Sequence, residues 1–443
     1  MPLVVEFHGD AIVLSGETGT KLKCETLGGY YPTWWGITSG GQVKNYGLST
    51  AIIELNAGTG LDYIEDIGEI ILGSSGHALQ LKMENPNTQK LKVVLVEEDA
   101  CCFAHLKSVV AHMWPRLNIA EAEGLPEANT TGVYLLRKKL PEALDIVETL
   151  KLGNSLFFFD PLLYTQWTEI DRVAAKRIRN YYHTQTEFIV FLFTSDWFTG
   201  RKALDLEPLP KSTLEGGWNQ GQKSAVAKMD ALFGSSDWRP LILKEGTDEE
   251  RTDRLVEAYR KKLHKWFRYV LPFPFQPKEN QVYHLFMCSN YEGGVAITKR
   301  FYADASGNPL PGMDSHSAYA KFKRLHPETT RQLSGSQRPL VWKLLWTSIR
   351  NHDEGLCDIR CQDFREKEDD WQMRLGALQW LEIMGYLRKV PQMTDAWPDP
   401  PPLYCLDWAM VKSRLGVEPP PRLVPLRPKS RTENAQGTRT SSS

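Results

Sequence analysis

Residues 54–60 combine an acidic side chain, an amide and two glycines directly after a short apolar segment. The stretch reads Glu54-Leu55-Asn56-Ala57-Gly58-Thr59-Gly60. Open α/β sheets bind ligands at the carboxyl ends of their strands, and glycine lets the backbone adopt positive φ and approach a ligand closely. The pattern therefore predicts a ligand-binding loop, with a plain β-to-α turn as the alternative. The residues expected to contact the ligand are Glu54, Asn56, Gly58 and Gly60.

A second acidic residue, Glu97, ends the next predicted strand, Lys92–Val96. The carboxyl ends of parallel strands meet at one sheet edge, so we expect Glu97 near the glycine loop. A carboxylate there can accept hydrogen bonds from both ribose hydroxyls of an adenosine ligand. The alternative is that Glu97 belongs to a charged run with Asp99 that caps the following helix. Together with the loop, Glu97 favours an adenosine ligand such as S-adenosylmethionine.

Asp160 follows the predicted strand Leu156–Phe159, and Pro161 ends that strand because proline cannot donate a ladder hydrogen bond. Asp160 is therefore expected beside the same crevice. In amino-methylating enzymes a polar residue followed by Pro-Pro-aromatic orients an exocyclic amine at this place. Here Asp160 is the candidate to orient an acceptor and Tyr164 the candidate to stack on it. A turn or capping role for Asp160 is the alternative.

Short apolar segments alternate with segments of helical length from residue 49 onward. This alternation predicts an α/β fold with a Rossmann-like, mainly parallel sheet and helices on both faces. Helix, helix, helix and a two-stranded ribbon in the C-terminal part match the winged-helix order. The predicted organisation is a lead-in over 1–48, a methyltransferase-type domain over 49–330 with a helical insertion around 201–275, a winged-helix-like domain over 336–415, and a disordered basic tail over 417–443.

Composition narrows the function classes. The net charge of −1 gives no overall attraction to nucleic acid or to anionic membrane, so any basic surface must be local. We expect a reduced cytoplasmic protein without a secretory signal or a membrane span. Cys357, Cys361 and Cys405 with His352 lack the spacing of a zinc site, so no metal is predicted.

Two segments could contact nucleic acid. Arg172, Lys176, Arg177 and Arg179 precede two tyrosines, a mixture of basic and aromatic residues that suits a nucleic-acid surface. A solvated helix face is the alternative. The winged-helix-like segment carries Arg388 and Lys389 in its ribbon. Such domains bind nucleic acid or dock proteins, and the acidic residues before its third helix favour docking.

The order of these motifs resembles the family of three-Cys-motif partner proteins from about Tyr30 to the C-terminal domain. The family's Asp-Gly-Phe-Ala-Gly-Pro-Gly corresponds to residues 54–60, its Gly-Ser-Pro to the stretch from Gly73 to Leu79, and its Asp-Pro to Asp160-Pro161. The resemblance implies a class I methyltransferase-like fold and S-adenosylmethionine as cofactor. It also implies a partner with a three-cysteine motif that is similar to radical S-adenosylmethionine proteins. Asn56 departs from the family loop, and so does the basic stretch Arg137–Lys139.

The sequence therefore leaves three candidate functions. The first is methyl transfer from S-adenosylmethionine to DNA or RNA, for example to a base amine, with a partner protein. The second is a catalytically inactive, methyltransferase-like scaffold that binds a partner. The third, nicotinamide-dependent oxidoreduction, is weaker because the loop lacks the G-x-G-x-x-G pattern.

Overall fold

The structure is a computed structural model that falls into two compact units, one within residues 1–308 and the other within Pro309–Leu423. It describes residues 5–8, 11–16, 18–39, 48–85, 88, 90–117, 119–121, 132–150, 152–160, 168–180, 186–194, 220–267, 269–278, 281–290, 298, 315–329, 340–351, 356–358, 368–390 and 403–418. Within this part of the chain, no helix is both long and apolar enough to cross a membrane.

An eight-stranded sheet forms the centre of the first unit. Its strands are β3 (Ser49–Glu54), β6 (Leu91–Val96), β7 (Ile119–Glu121), β8 (Val133–Leu136), β9 (Leu152–Phe159), β10 (Thr186–Phe193), β11 (Tyr269–Lys278) and β12 (Gln281–Ser289). Every residue of β3, β6, β8 and β9 is buried. Strands covered on both faces are rich in apolar residues, which explains why these segments could be recognised as strands in the sequence.

The strand order is β11-β12-β10-β9-β3-β6-β8-β7. Strands β3 and β6 to β10 run parallel, and the last hairpin joins them antiparallel through β12 and β10. Without the short edge strand β7, and counting from β3, the parallel core has the doubly wound order 3-2-1-4-5, which creates a switch point beside β3. The predicted mostly parallel α/β sheet is therefore confirmed.

Helices cover both faces of this sheet. The first unit contains α1 (Thr18–Thr38), α2 (Ser74–Glu84), α3 (Ala100–Met113), α4 (Leu140–Thr149), α5 (Thr168–Asn180), α6 (Gln220–Phe233), α7 (Arg239–Leu243) and α8 (Asp248–Leu263). Helices α4 to α8 share one hydrophobic core with the sheet, in which Ile53 and Val94 are fully buried. On α8 the Thr247 side chain accepts a hydrogen bond from the Glu250 amide, whose side chain bonds back to Thr247.

The predicted lead-in contains α1 and two strands of a second sheet. That sheet has the order β1-β2-β4-β5 and is formed by β1 (Val5–His8), β2 (Ala11–Gly16), β4 (Leu61–Ile64) and β5 (Glu69–Leu72). The β4–β5 hairpin is inserted between the glycine loop and α2. Its two ends meet, because the Gly73 amide donates to the Gly60 carbonyl at 3.0 Å.

The second unit contains four helices and a small sheet among its described residues. These are α9 (Ser315–Leu325), α10 (Leu340–Asn351), β13 (Leu356–Asp358), α11 (Glu368–Ile383), β14 (Leu387–Val390), β15 (Leu403–Leu406) and α12 (Trp408–Leu415). The sheet order is β13-β15-β14, with both pairs antiparallel. Helices α9 to α12 pack around Phe322, Trp342 and Tyr386. The tail beyond residue 418 lies outside the described residues.

Candidate functional site

Three acidic residues predicted from the sequence lie at the same sheet edge. Strand β3 pairs in parallel with β6 on one side and with β9 on the other. Glu54 is the last residue of β3, Glu97 follows β6 and Asp160 follows β9. The topology therefore brings together Glu54, Glu97 and Asp160 as expected. Tyr164, the predicted stacking residue, lies outside the described residues.

The glycine loop crosses from β3 to the end of β6. The Ala57 amide donates to the Val96 carbonyl at 2.8 Å, and Asn56 is half-buried in the turn before it. Gly58 and Gly60 have φ of +60° and +83°. These values lie in the left-handed region that residues with a Cβ rarely adopt. The two glycines are therefore required by the shape of this loop.

Helix α2 packs its first turn directly on that loop. The Ser75 hydroxyl donates to the Ala57 carbonyl at 2.8 Å. A Cβ on Gly76 would lie only 2.5 Å from the Gly60 carbonyl oxygen. The small residues that follow the inserted hairpin therefore allow the helix to contact the loop backbone, and they hold the loop in one conformation.

Glu97 and Asp99 have separate roles. One Glu97 carboxylate oxygen accepts from the Gly58 amide and the other from the Asp99 amide, each at 2.8 Å. Asp99 is the residue that caps α3, because its carboxylate accepts from the amides of Cys101 and Cys102. Burial raises the pKa of Glu97, while the two backbone donors oppose that rise. Glu97 is thus tied to the glycine loop, and helix capping falls to its neighbour.

Glu54 is the most buried acid of the edge, with 1% of its surface exposed. Its Oε1 accepts a hydrogen bond from the Ser74 hydroxyl at the start of α2. Its Oε2 has no hydrogen-bond partner among the described residues. Burial raises the pKa of Glu54 well above the usual value, although Ser74 and Lys23 oppose the shift. A buried carboxylate oxygen without a donor is costly, so Oε2 is an acceptor suited to a ligand N–H or O–H group.

Helix α1 supplies a lysine that the sequence analysis did not identify. Lys23 Nζ lies 2.5 Å from Asp160 Oδ2, and the two side chains are 13% and 25% exposed. Burial alone would lower the pKa of Lys23, but the Asp160 carboxylate raises it above its usual value. The ammonium also lies 5.0 Å from the centre of the Phe191 ring. Asp160 Oδ2 is therefore bound by an ammonium group, while residues 161–167, whose amides a turn or capping role would involve, lie outside the described residues.

A fourth carboxylate, Asp62, joins the group from the inserted hairpin. The Cys24 thiol donates to Asp62 Oδ2 at 3.6 Å, and burial raises the pKa of both groups. Asp62, Cys24 and Lys23 come from segments that carry no motif. The sequence offered one indirect indication of Lys23, because three acidic residues predicted at one sheet edge favour a cation nearby. The helix that provides this cation, α1, was not predicted from the sequence.

The basic helix predicted as a nucleic-acid surface is largely neutralised. On α5, Arg177 is buried and donates to the carbonyls of Leu152 and Gly153. Arg172 pairs with three acidic residues, and Lys176 pairs with Glu148. The side chain of Arg179 lies outside the described residues. These contacts favour the interpretation of α5 as an ordinary packed and solvated helix over its interpretation as a nucleic-acid surface. In the described part of the chain, no group of three potential ligands could hold a metal ion.

Comparison with known proteins finds only distant structural similarity. No family model matches the sequence, and no curated protein does. Protein LPL1258 from Legionella pneumophila is 10% identical over 62% of this chain and 86% of its own, with a TM-score of 0.34. The plantazolicin methyltransferase BamL, crystallised with SAH, is 10% identical over 62% of this chain and 89% of its own, with a TM-score of 0.25. A methyltransferase from Pyrococcus furiosus is 11% identical over 65% and 89%, with a TM-score of 0.24. At these TM-scores the similarities carry no argument about function.

Proposed function

We propose that the sheet edge formed by Glu54, the glycine loop and Glu97 binds S-adenosylmethionine. The observation that carries the proposal is the buried Oε2 of Glu54, which has no donor among the described residues and lies beside the loop. Glu97, fixed by the Gly58 amide, has further lone pairs that could accept the ribose hydroxyls. The positive φ of Gly58 and Gly60 leaves the loop backbone open to close approach.

The charge of the edge favours this cofactor over a nicotinamide dinucleotide. Asp160 at this edge is ion-paired with the Lys23 ammonium. The acidic side chains of Glu54, Asp62 and Glu97 lie at the same edge, where burial raises the pKa of each and a cationic ligand would favour the ionised form. S-adenosylmethionine carries a sulfonium and an ammonium, which such carboxylates attract. A dinucleotide would place a doubly charged pyrophosphate near the same carboxylates, where like charges repel. This contrast supports the methyl donor as the ligand class.

We further propose that the site transfers the methyl group to an amine, with a nucleic-acid base amine as the first candidate. When bound, the cofactor would supply an electrophilic methyl carbon to the amine nitrogen, with S-adenosylhomocysteine as the leaving group and the proton of the amine going to solvent water. Asp160 would orient the amine, as its contact with the Lys23 ammonium illustrates, and Tyr164 would stack on the base. Methyl transfer of this kind mainly requires that the amine and the methyl carbon be held in the correct relative position.

We place the second unit in the winged-helix-like class and propose that it docks a partner, for which a three-cysteine-motif protein is the candidate. The β13-β15-β14 sheet between helices α10 and α12 supports this class. Arg388 and Lys389 are exposed on β14 and would also suit DNA or RNA. Pull-down of the two proteins, with and without nucleic acid, distinguishes these partners.

A second candidate function is the catalytically inactive scaffold. The specific observation in its favour is that Lys23 occupies the carboxylate of Asp160, the residue assigned to the acceptor. In that case the cofactor edge would bind its ligand without transferring a methyl group. The two candidates share the ligand site and differ only in turnover.

Isothermal titration calorimetry tests the cofactor assignment. We expect S-adenosylmethionine and S-adenosylhomocysteine to bind and NAD not to bind. Glu97→Ala should weaken binding at least tenfold, because both the ribose acceptor and the Gly58 contact are lost. Glu98→Ala is the matched control, since Glu98 is the exposed neighbour with the same charge. Absence of binding to the wild-type protein, or equal loss in both variants, would reject the assignment. Labelled methyl transfer to DNA, RNA or the partner then separates enzyme from scaffold.

A further inference from the structure

Lys23 reaches the acceptor side of the site from a helix whose backbone is fixed elsewhere. The Tyr30 hydroxyl donates to Glu187 at 2.6 Å, and the Asn154 amide donates to the Thr38 carbonyl at 3.0 Å. These buried contacts anchor the middle and the end of α1. The long lysine side chain can therefore leave Asp160 by rotating its own bonds, without movement of the helix.

The surroundings of the Lys23 ammonium have the chemistry of an amine-binding subsite. A carboxylate, Asp160, binds the ammonium directly, and the face of Phe191 lies 5.0 Å away. Carboxylates give charge-assisted hydrogen bonds to N–H donors, and aromatic faces attract cations. Both members of the ion pair keep some solvent exposure, 13% for Lys23 and 25% for Asp160. Both side chains can therefore be reached from solvent.

We propose that Asp160 and Phe191 form the subsite for the acceptor amine, and that Lys23 is an intramolecular occupant that the acceptor displaces. The inference rests on the proposed function, because it concerns the acceptor side of the same site. A subsite filled by its own side chain binds an external ligand with an affinity reduced by the fraction of time it is open. An acceptor must therefore displace the Lys23 ammonium from Asp160 before it binds there.

The test compares Lys23→Ala with a matched variant on the same helix. Lys21→Ala also removes a lysine that is paired with a carboxylate, since Lys21 Nζ lies 2.8 Å from Glu69, but Lys21 does not pair with Asp160. Binding of n-butylammonium is measured by NMR titration without cofactor. We expect at least tenfold tighter binding to Lys23→Ala than to wild type or Lys21→Ala, and loss of this gain in Lys23→Ala/Asp160→Asn.

Equal affinity of n-butylammonium for wild type and Lys23→Ala would overturn the inference, as would a gain that survives Asp160→Asn. If Lys23→Ala does not fold, Lys23→Met keeps the apolar stem while removing the ammonium, and methylammonium replaces n-butylammonium as the probe under the same criteria.

Two further measurements keep this test separate from the cofactor assignment. S-adenosylhomocysteine affinity should be within twofold in wild type and Lys21→Ala, since Lys21 pairs with Glu69 and not with Glu54, Glu97 or Asp160. With S-adenosylmethionine present, methyl transfer to n-butylamine, which binds as the ammonium and must release a proton to solvent water before its nitrogen attacks the methyl carbon, should rise in Lys23→Ala; a lysine that merely positions Asp160 would give a fall and overturn the inference. Failure of S-adenosylhomocysteine to bind wild type would reject the proposed function, while the amine titration would still report on the subsite.

Discussion

Gly60→Ala should destabilise the first unit through the backbone of the glycine loop. Gly60 has φ of +83°, and holding a residue with a Cβ in the left-handed region costs about 1–2 kcal/mol. The new Cβ would also lie 3.2 Å from Leu106 Cδ1, so the Leu106 side chain must give way by a few tenths of an ångström. Restricting the unfolded chain offsets about 0.4–1 kcal/mol of this. The expected net loss is roughly 1 kcal/mol.

Gly36→Ala is the control for this substitution. Gly36 lies in α1, and a Cβ there would meet no atom within 4 Å. Alanine in a helix is favoured over glycine by about 0.5–1 kcal/mol, so this variant should be slightly more stable than wild type. Urea unfolding followed by circular dichroism measures both effects. Calorimetry should show weaker S-adenosylhomocysteine binding for Gly60→Ala alone, because the Gly60 carbonyl also holds Gly73. A Gly60→Ala protein as stable as Gly36→Ala would refute the reasoning about the loop.

Two further predictions concern buried charges. Burial raises the pKa of Glu54, so the folded protein binds the Glu54 proton more tightly than the unfolded chain does. Protonated Glu54 therefore stabilises the fold below about pH 4.5, the pKa of an exposed glutamate, and this stabilisation is lost as the pH rises through the higher pKa of the folded state. Wild type should therefore gain stability relative to Glu54→Gln as the pH is lowered, and parallel pH–stability curves would contradict this. Arg177→Met should cost about 2–4 kcal/mol, because the carbonyls of Leu152 and Gly153 lose a charged donor. Lys176→Met removes an ion pair in which Lys176 is 43% and Glu148 15% exposed, and it should cost less than Arg177→Met when both variants are compared by thermal unfolding.

Much of the sheet could be predicted from sequence because its strands are buried on both faces. Continuous apolar runs identify such strands without knowledge of their neighbours, as in β6 and β9. The placement of Glu54, Glu97 and Asp160 at one edge followed from the same pattern, since each ends a parallel strand. The need for Gly58 and Gly60 could likewise be inferred, because the tight turn requires positive φ.

The partners of those residues depended on the tertiary structure. A lysine in a helix before the sheet shows no local sign that it will bind Asp160, since the two residues lie 137 positions apart in the sequence. The same holds for Asp62, which an inserted hairpin brings to the edge, and for Arg177, whose charge is used inside the protein rather than on its surface. Local sequence thus determined where the strands end and which carboxylates follow them. Only the three-dimensional approach of distant segments decided which charges face each other, because electrostatic pairing depends on distance in space and not on distance along the chain.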